Sequence, residues 1–130
     1  MSRSYRDLTV WKKSMDLANL VYKVSVAFPR VEVYGITSQL RRAAVSVPSN
    51  IAEGYGRGTR NDYRLFVGYA RGSAYEVETQ LLLVQSFNYA DAKTLGEAQQ
   101  LCAEVGRMLH ALWIALGPKP PVPGPRGSSH

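Results

Sequence analysis

The sequence predicts an all-α protein, an antiparallel up-and-down four-helix bundle. Three observations carry that prediction. Apolar residues recur at intervals of three and four along almost the whole chain, the period of an amphipathic helix, and only isolated pairs alternate as a strand would. Proline, glycine and capping residues divide the chain into four such stretches of about 20 to 30 residues with short links, the spacing of a bundle. The proportions, 130 residues of which 45% are hydrophobic and 20% charged, suit one domain with a single core.

In the first helix Leu8, Trp11, Met15, Ala18, Tyr22, Ser25 and Phe28 step by three and four, with Asp7 as the expected cap and Pro29 as the stop. A second stripe, Val10, Leu17, Leu20, Val21 and Val24, widens that face, so the helix must touch more than one neighbour. Tyr34-Gly35 punctuates. Ile36, Leu40, Ala43, Val47, Ile51 and Gly54 then mark a second helix with Pro48 inside it. The proline ring removes the amide bond to the Ala44 carbonyl. A kink is expected there, with Ser46, Ser49 or Asn50 satisfying the freed group.

Gly54 to Gly58 ends that helix, and Thr59-Arg-Asn-Asp62 opens the third in the manner of a capping box. Tyr63, Phe66, Ala70, Val77, Leu81 and Val84 run along it. Gly68, Gly72 and Ser73 fall within it. A mid-helix glycine costs roughly 0.5–1 kcal/mol against alanine, so a closely packed neighbour is expected against the missing side chains. Asp91 or Thr94 caps a fourth helix on which Leu101, Val105, Met108, Leu112 and Ala115 recur until Gly117. The bundle therefore spans residues 1–116. Five of the seven prolines lie in 117–130, where Val122 is the one other apolar side chain, and this segment reads as a Pro/Gly-rich disordered tail.

Sixteen Lys and Arg against ten Asp and Glu give a net charge of +6. Residues 1–116 keep +4 of it, and an equal excess lies between residues 41 and 71, where Arg41, Arg42, Arg57, Arg60, Arg64 and Arg71 face only Glu53 and Asp62. Arg57, Arg60 and Arg64 gather where the third helix begins, and helix-start amides beside guanidinium groups outline an anion site. Those six arginines are the candidate nucleic-acid-binding residues. Tyr55, Tyr63 and Tyr69 interleave with them as base-stacking surfaces do, although tyrosines at helical spacing fit a core or interface better. Ser46, Asn50 and Glu53 form one polar row, and Glu76 and Gln80 another with Arg71 ahead of it. If the second and third helices pair antiparallel, the rows read as a structural polar network that fixes register.

Nothing in the chain asks for catalysis. Cys102 is the single cysteine, so there is no intramolecular disulfide framework, and with two histidines it cannot build a Cys- or His-rich zinc site. On its apolar helical face Cys102 reads as a small hydrophobe. His110 has no Asp or Cys spaced for a triad. Gly54-x-Gly-x-Gly58 follows a helix, whereas dinucleotide-binding glycine loops follow a strand. The expectation is a non-enzyme without cofactor or metal. No apolar run approaches the 18 residues of a membrane helix and residues 1–7 hold no signal-peptide core, so a cytoplasmic, membrane-free protein is expected.

Tyr5-Arg-Asp-Leu-x-Val-Trp11, Phe28-Pro29 with Tyr34-Gly35, the long run Thr37-Ser-Gln-Leu-Arg-Arg-Ala-Ala-Val-Ser-Val-Pro-Ser-Asn-Ile-Ala-Glu-Gly54, Gly56-Arg57, and Gly72-Ser73 with Glu76-x-Glu-Thr-Gln-Leu81 together resemble the 23S ribosomal RNA intervening-sequence family. The likeness covers residues 5–116 and is strongest over 37–58. Ala74 stands where that family carries a larger aliphatic residue, and the tail lies outside its pattern. The resemblance implies a small cytosolic bacterial four-helix bundle assembled as a ring-shaped homopentamer. It also implies kinship with the accessory variability proteins of diversity-generating retroelements, which present a basic surface and work with a reverse transcriptase and nucleic acid. Two functions stay open at this point: an oligomeric module that binds structured RNA or DNA through its arginines, or a protein-interaction scaffold with no direct nucleic-acid contact. The discriminating feature is whether those arginines converge on an exposed face or are consumed by Glu53, Glu76 and Glu78.

Overall fold

The computed structural model describes residues 4–118. Four helices form: α1 (Thr9–Ser25), α2 (Ile36–Gly56), α3 (Arg60–Phe87) and α4 (Ala92–Ala115), with single 3-10 turns at Tyr5–Asp7 and Arg30–Glu32 and no strand among the described residues. Each helix packs on two others, α1 on α2, α2 on α3, α3 on α4 and α4 on α1, which closes a bundle around one core. Leu17 and Val21 of α1, Leu40, Val47 and Ile51 of α2, Val67, Val77, Leu81 and Val84 of α3, and Val105 and Leu109 of α4 are wholly buried there. Each such side chain is worth about 1.5–3 kcal/mol against exposure. Of the expected tail, Gly117 and Pro118 are described, and residues 119–130 lie outside the described residues.

The core faces of α2 and α3 follow the prediction in their middle turns, whereas Ile36, Tyr63 and Phe66 are only partly buried and Val67 enters the core at the start of α3. Leu40, Ala43, Val47, Ile51 and Gly54 are buried on α2, and Ala70, Val77, Leu81 and Val84 on α3. On α1 the second stripe supplies most of the core, although Ser25 and Phe28 of the row read as the main face are buried as well. Val10, Ser14, Leu17, Val21 and Val24 enter the core, while Met15 and Tyr22, taken as part of the main face, are exposed. Ser14 hides that row from a hydrophobicity reading, because its hydroxyl is satisfied within the helix by the Trp11 carbonyl at 2.7 Å and so costs little to bury. On α4 the buried row is Leu95, Ala98, Cys102, Val105 and Leu109, displaced from the expected one. Leu101, Met108 and Leu112 flank it, and Ala115 is exposed.

Helix ends follow local chemistry. Thr59 Oγ1 accepts the Asp62 amide at 3.1 Å and Asp91 Oδ1 accepts the Thr94 amide at 2.8 Å, as expected for both caps. The Thr94 amide holds the Asp91 carboxyl below its usual range. At α1 the N-cap is Leu8, without a side-chain bond, rather than Asp7. Asn88 closes α3 in the left-handed region, φ 59°. The backbone of α2 stays helical through Pro48, and Asn50 Nδ2 donates to the Ser46 carbonyl at 2.8 Å, not to that of Ala44. At the end of the bundle where the α1–α2 and α3–α4 links lie, the Tyr89 hydroxyl donates to Glu32 at 2.7 Å. Lys13 of α1 pairs with Glu104 of α4 at 3.0 Å.

Two glycines mark close approaches between helices. A Cβ on Gly54 would stand 2.6 Å from Phe66 Cβ, so α2 and α3 meet there backbone to side chain. On Gly68 it would stand 3.3 Å from Trp113 Nε1, whereas on Gly72 it would meet nothing within 4 Å. The neighbour expected against both mid-helix glycines is present at Gly68 alone. Gly54→Ala should therefore lower the stability of the fold by about 1–3 kcal/mol in chemical denaturation, through overpacking. Gly72→Ala should raise it by about 0.5–1 kcal/mol, through helix propensity. Equal midpoints for the two variants would contradict this packing.

Candidate nucleic-acid interface

The last carbonyls of a helix have no intrahelical partners. Those of α4 are taken by the first turns of α3. Arg60 Nη2 donates to the Ala115 carbonyl at 2.7 Å and to that of Gly117 at 3.1 Å, and its Nε to that of Leu116 at 3.2 Å. Arg64 Nε donates to the Trp113 carbonyl at 3.0 Å. Cations at a helix C-terminus also complement its dipole. One turn further along α3, Gly68 leaves the notch against which the Trp113 indole lies. Arg64 and Arg71, a turn to either side of Gly68, bring their guanidinium carbons 3.6 and 4.2 Å from the indole centroid. Arg71 Nη1 lies 2.9 Å from His110 Nδ1. Because a guanidinium can only donate, Nδ1 must accept and the imidazole carries its proton on Nε2.

The other predicted arginines stand elsewhere. Arg57 pairs with Glu53 at 2.9 Å and lies 4.7 Å over the Phe66 ring. Arg41 Nε donates to Ser25 Oγ at 2.7 Å and its guanidinium lies 4.6 Å over Tyr22, with Arg42 exposed beside it. Arg41 and Arg57 are 16 residues apart on one helical run, roughly 24 Å. The six therefore divide into Arg41 with Arg42, Arg57 at the α2–α3 turn, and Arg60, Arg64 and Arg71 along the α3–α4 seam. Among the described residues Arg57 is the one member of the six in a salt bridge with a carboxylate. Tyr63 is half-buried edge-on to Tyr55 at 5.7 Å, and burial pushes its phenol up, while Tyr69 is exposed.

The polar rows on α2 and α3 are not brought together at their ends. Glu53 sits beside Gly54, hence at the level of Phe66, and Glu76 is ten residues further along α3, roughly 15 Å. Asn50 turns back to Ser46, Glu76 is exposed, and Gln80 is buried with Oε1 lacking a hydrogen-bond partner. Sequence reasoning missed Arg107, which is exposed on α4 one turn from His110 and joins the same face. The signal was available in the three-residue spacing of Arg107 and His110, outside the 41–71 window of basic excess. Cys102 is buried, its thiol donates to the Ala74 carbonyl at 3.3 Å, and burial pushes its pKa up to about 12.

A family model described as 23S rRNA-intervening sequence protein matches residues 6–111. A crystal structure of a protein of unknown function from the S23 ribosomal protein family of Bacteroides thetaiotaomicron VPI-5482 superposes with a TM-score of 0.75 at 20% identity, over 81% of this chain and 98% of that one. At that identity the likeness is one of fold. No curated protein matches the chain.

Nitrogen NMR of the neutral imidazole should find the His110 proton on Nε2; a dominant Nδ1–H tautomer would contradict the Arg71 contact. The Cys102 thiol should resist alkylation at pH 8 until the protein is unfolded. The folded chain keeps a proton that the unfolded thiol releases near its usual 9.0. This group's contribution to stability is thus complete below about pH 9 and is lost as pH rises toward 12. A denaturation series in which Cys102→Ala leaves the alkaline loss unchanged would refute that assignment.

Proposed function

We infer a function for this chain, which belongs to the 23S rRNA-intervening sequence protein family, from the cations that line α3 and α4. It is a non-enzymatic, homo-oligomeric protein of the cytoplasm that binds structured RNA or DNA through the basic face of α3 and α4. One observation carries this reading. Arg60, Arg64 and Arg71 are held by carbonyls, an indole and an imidazole, all neutral groups, so their positions are set while their charge is not cancelled. Guanidinium groups already ordered lose less freedom on contacting phosphate. Arg107 adds a fourth cation to that face. The burial and raised pKa of Cys102, and the engagement of His110 Nδ1 by Arg71, speak against a nucleophile or base at these two positions.

The helices run antiparallel, up and down. Contacts that rise in number along α3 fall along α4, from Arg64 with Trp113, through Arg71 with His110, to Gln85 with Gln99. Self-association into a ring-shaped pentamer is supported by apolar surface that one bundle leaves open. Leu82, Leu83 and Phe87 are exposed on the last turns of α3, and Met15, Tyr22 and Val45 are exposed along the α1–α2 groove. A ring repeats each cation in every subunit. Binding would then rest on phosphate contact with little reading of paired bases.

The protein should retard a structured RNA in a gel at 50 mM salt, with affinity falling steeply as salt rises. Arg71→Ala and Arg107→Ala should each reduce the slope of log K against log salt by about one per subunit engaged, and Arg42→Ala should leave it nearly unchanged. Absence of binding to any RNA or DNA at 50 mM salt would overturn the reading in favour of a protein scaffold. Light scattering should give a mass about five times 14.4 kDa, and a monomer mass would refute the assembly.

A further inference from the structure

We propose that the groove between α3 and α4, beside the Arg71–His110 contact, receives one unpaired guanine nucleotide of a bound strand. The inference rests on the nucleic-acid reading above and narrows it from phosphate contact to capture of an unstacked base. The groove is a cavity of about 350 Å³, at the small end of the range for ligand pockets. Its floor is apolar. Ala74 and Cys102 are buried beneath it, and Gly106 adds no side chain. A Cβ on Gly106 would meet nothing within 4 Å, so packing inside the subunit does not require the glycine that keeps the groove open.

Around that floor stand the groups that recognise a nucleotide. Tyr75 lines the groove as a half-exposed aromatic, with the Arg71 guanidinium 6.0 Å over its ring. His110 lines the groove as a second ring, held by Arg71 and stacked on Trp113 at 6.4 Å. Glu78 contributes a carboxylate, which only accepts hydrogen bonds. Guanine carries two adjacent donors on its Watson–Crick edge, the ring N–H and the exocyclic amine, and a carboxylate takes both together. Arg107, on the α4 wall, supplies a cation for the phosphate that follows such a base. No salt bridge among the described residues joins Glu78 to Arg107, so each keeps its charge for a ligand. A paired guanine has that edge occupied and its faces stacked. Only a looped, bulged or single-stranded base can enter.

The test uses the full chain and fluorescence anisotropy with three labelled RNAs of equal length: a fully paired duplex, a hairpin with one guanine in an otherwise abasic loop, and the same hairpin with adenine there. The guanine hairpin is expected to bind at least about tenfold tighter than the duplex, the gain of one stacked base. Gly106→Leu, which fills the groove, and Tyr75→Ala should abolish that difference and leave duplex binding as in the parent. Glu78→Gln should reduce the preference for guanine over adenine and leave the hairpin-over-duplex advantage in place. Circular dichroism melts establish that each variant folds. Equal binding of hairpin and duplex by the parent, or an undiminished difference in Gly106→Leu, overturns the proposal. If the parent binds none of the three RNAs at low salt, the nucleic-acid reading itself fails.

Discussion

The position of the Trp113 indole against Gly68 governs the α3–α4 seam. The notch lets the ring approach the α3 backbone, and the ring in turn gives Arg64 and Arg71 a flat surface on which to rest. A guanidinium over an indole is attracted by about 0.5–2 kcal/mol, depending on exposure. Two such contacts, with the Arg64 bond to the Trp113 carbonyl, hold the end of α4 in place. From that anchor follow the sealing of the α4 carbonyls by Arg60, the placement of His110 under Arg71, and the opening of the groove one turn further along. Replacing Gly68 would displace the ring, and with it the cations that depend on the ring.

How these cations are held also bears on the choice between charge for binding and charge for structure. Carboxylate partners would have turned the arginines into internal ion pairs, worth little at a surface and electrically silent toward a ligand. Carbonyl and aromatic partners fix geometry and leave the field outside the protein intact. Arg57, paired with Glu53, is the exception, and it stands at the α2–α3 turn away from the seam. The family and the fold likeness at 20% identity agree with the bundle, while the seam depends on a few particular residues.

The fold was largely legible in the sequence. Helix count, the boundaries at Thr59 and Asp91, and the core rows of α2 and α3 could be read because large β-branched and leucine side chains dominate those rows and each cap is a local motif. Where small or polar residues line the interior, the reading slipped. Ser14 in α1 and Ala98 with Cys102 in α4 contribute little to an apolar periodicity, so a neighbouring row of larger residues looked more like the core than the true one. The candidate site was legible as a list of arginines but not as an arrangement. Nothing local to Arg60 or Arg64 reveals that their acceptors are carbonyls some fifty residues later, and Arg107 escaped because a window of charge along the chain ignores what another helix brings alongside. The polar rows failed to meet end to end because the level at which α2 crosses α3 is set by Gly54 against Phe66, a contact without a sequence signature of its own.

The partners of Arg60 lie 55 to 57 positions downstream. A chain leaving the ribosome from its N-terminus therefore exposes this guanidinium, and the start of α3 around it, long before residues 115 to 117 emerge to receive it. α1, α2 and α3 can collect their shared apolar surface during synthesis, but the fourth side of the bundle stays open until the last turn of α4 is free. Closure of the bundle thus waits for α4: a product cut short before Leu116 would keep most of its core residues yet lack the bonds that tie the start of α3 to the end of α4.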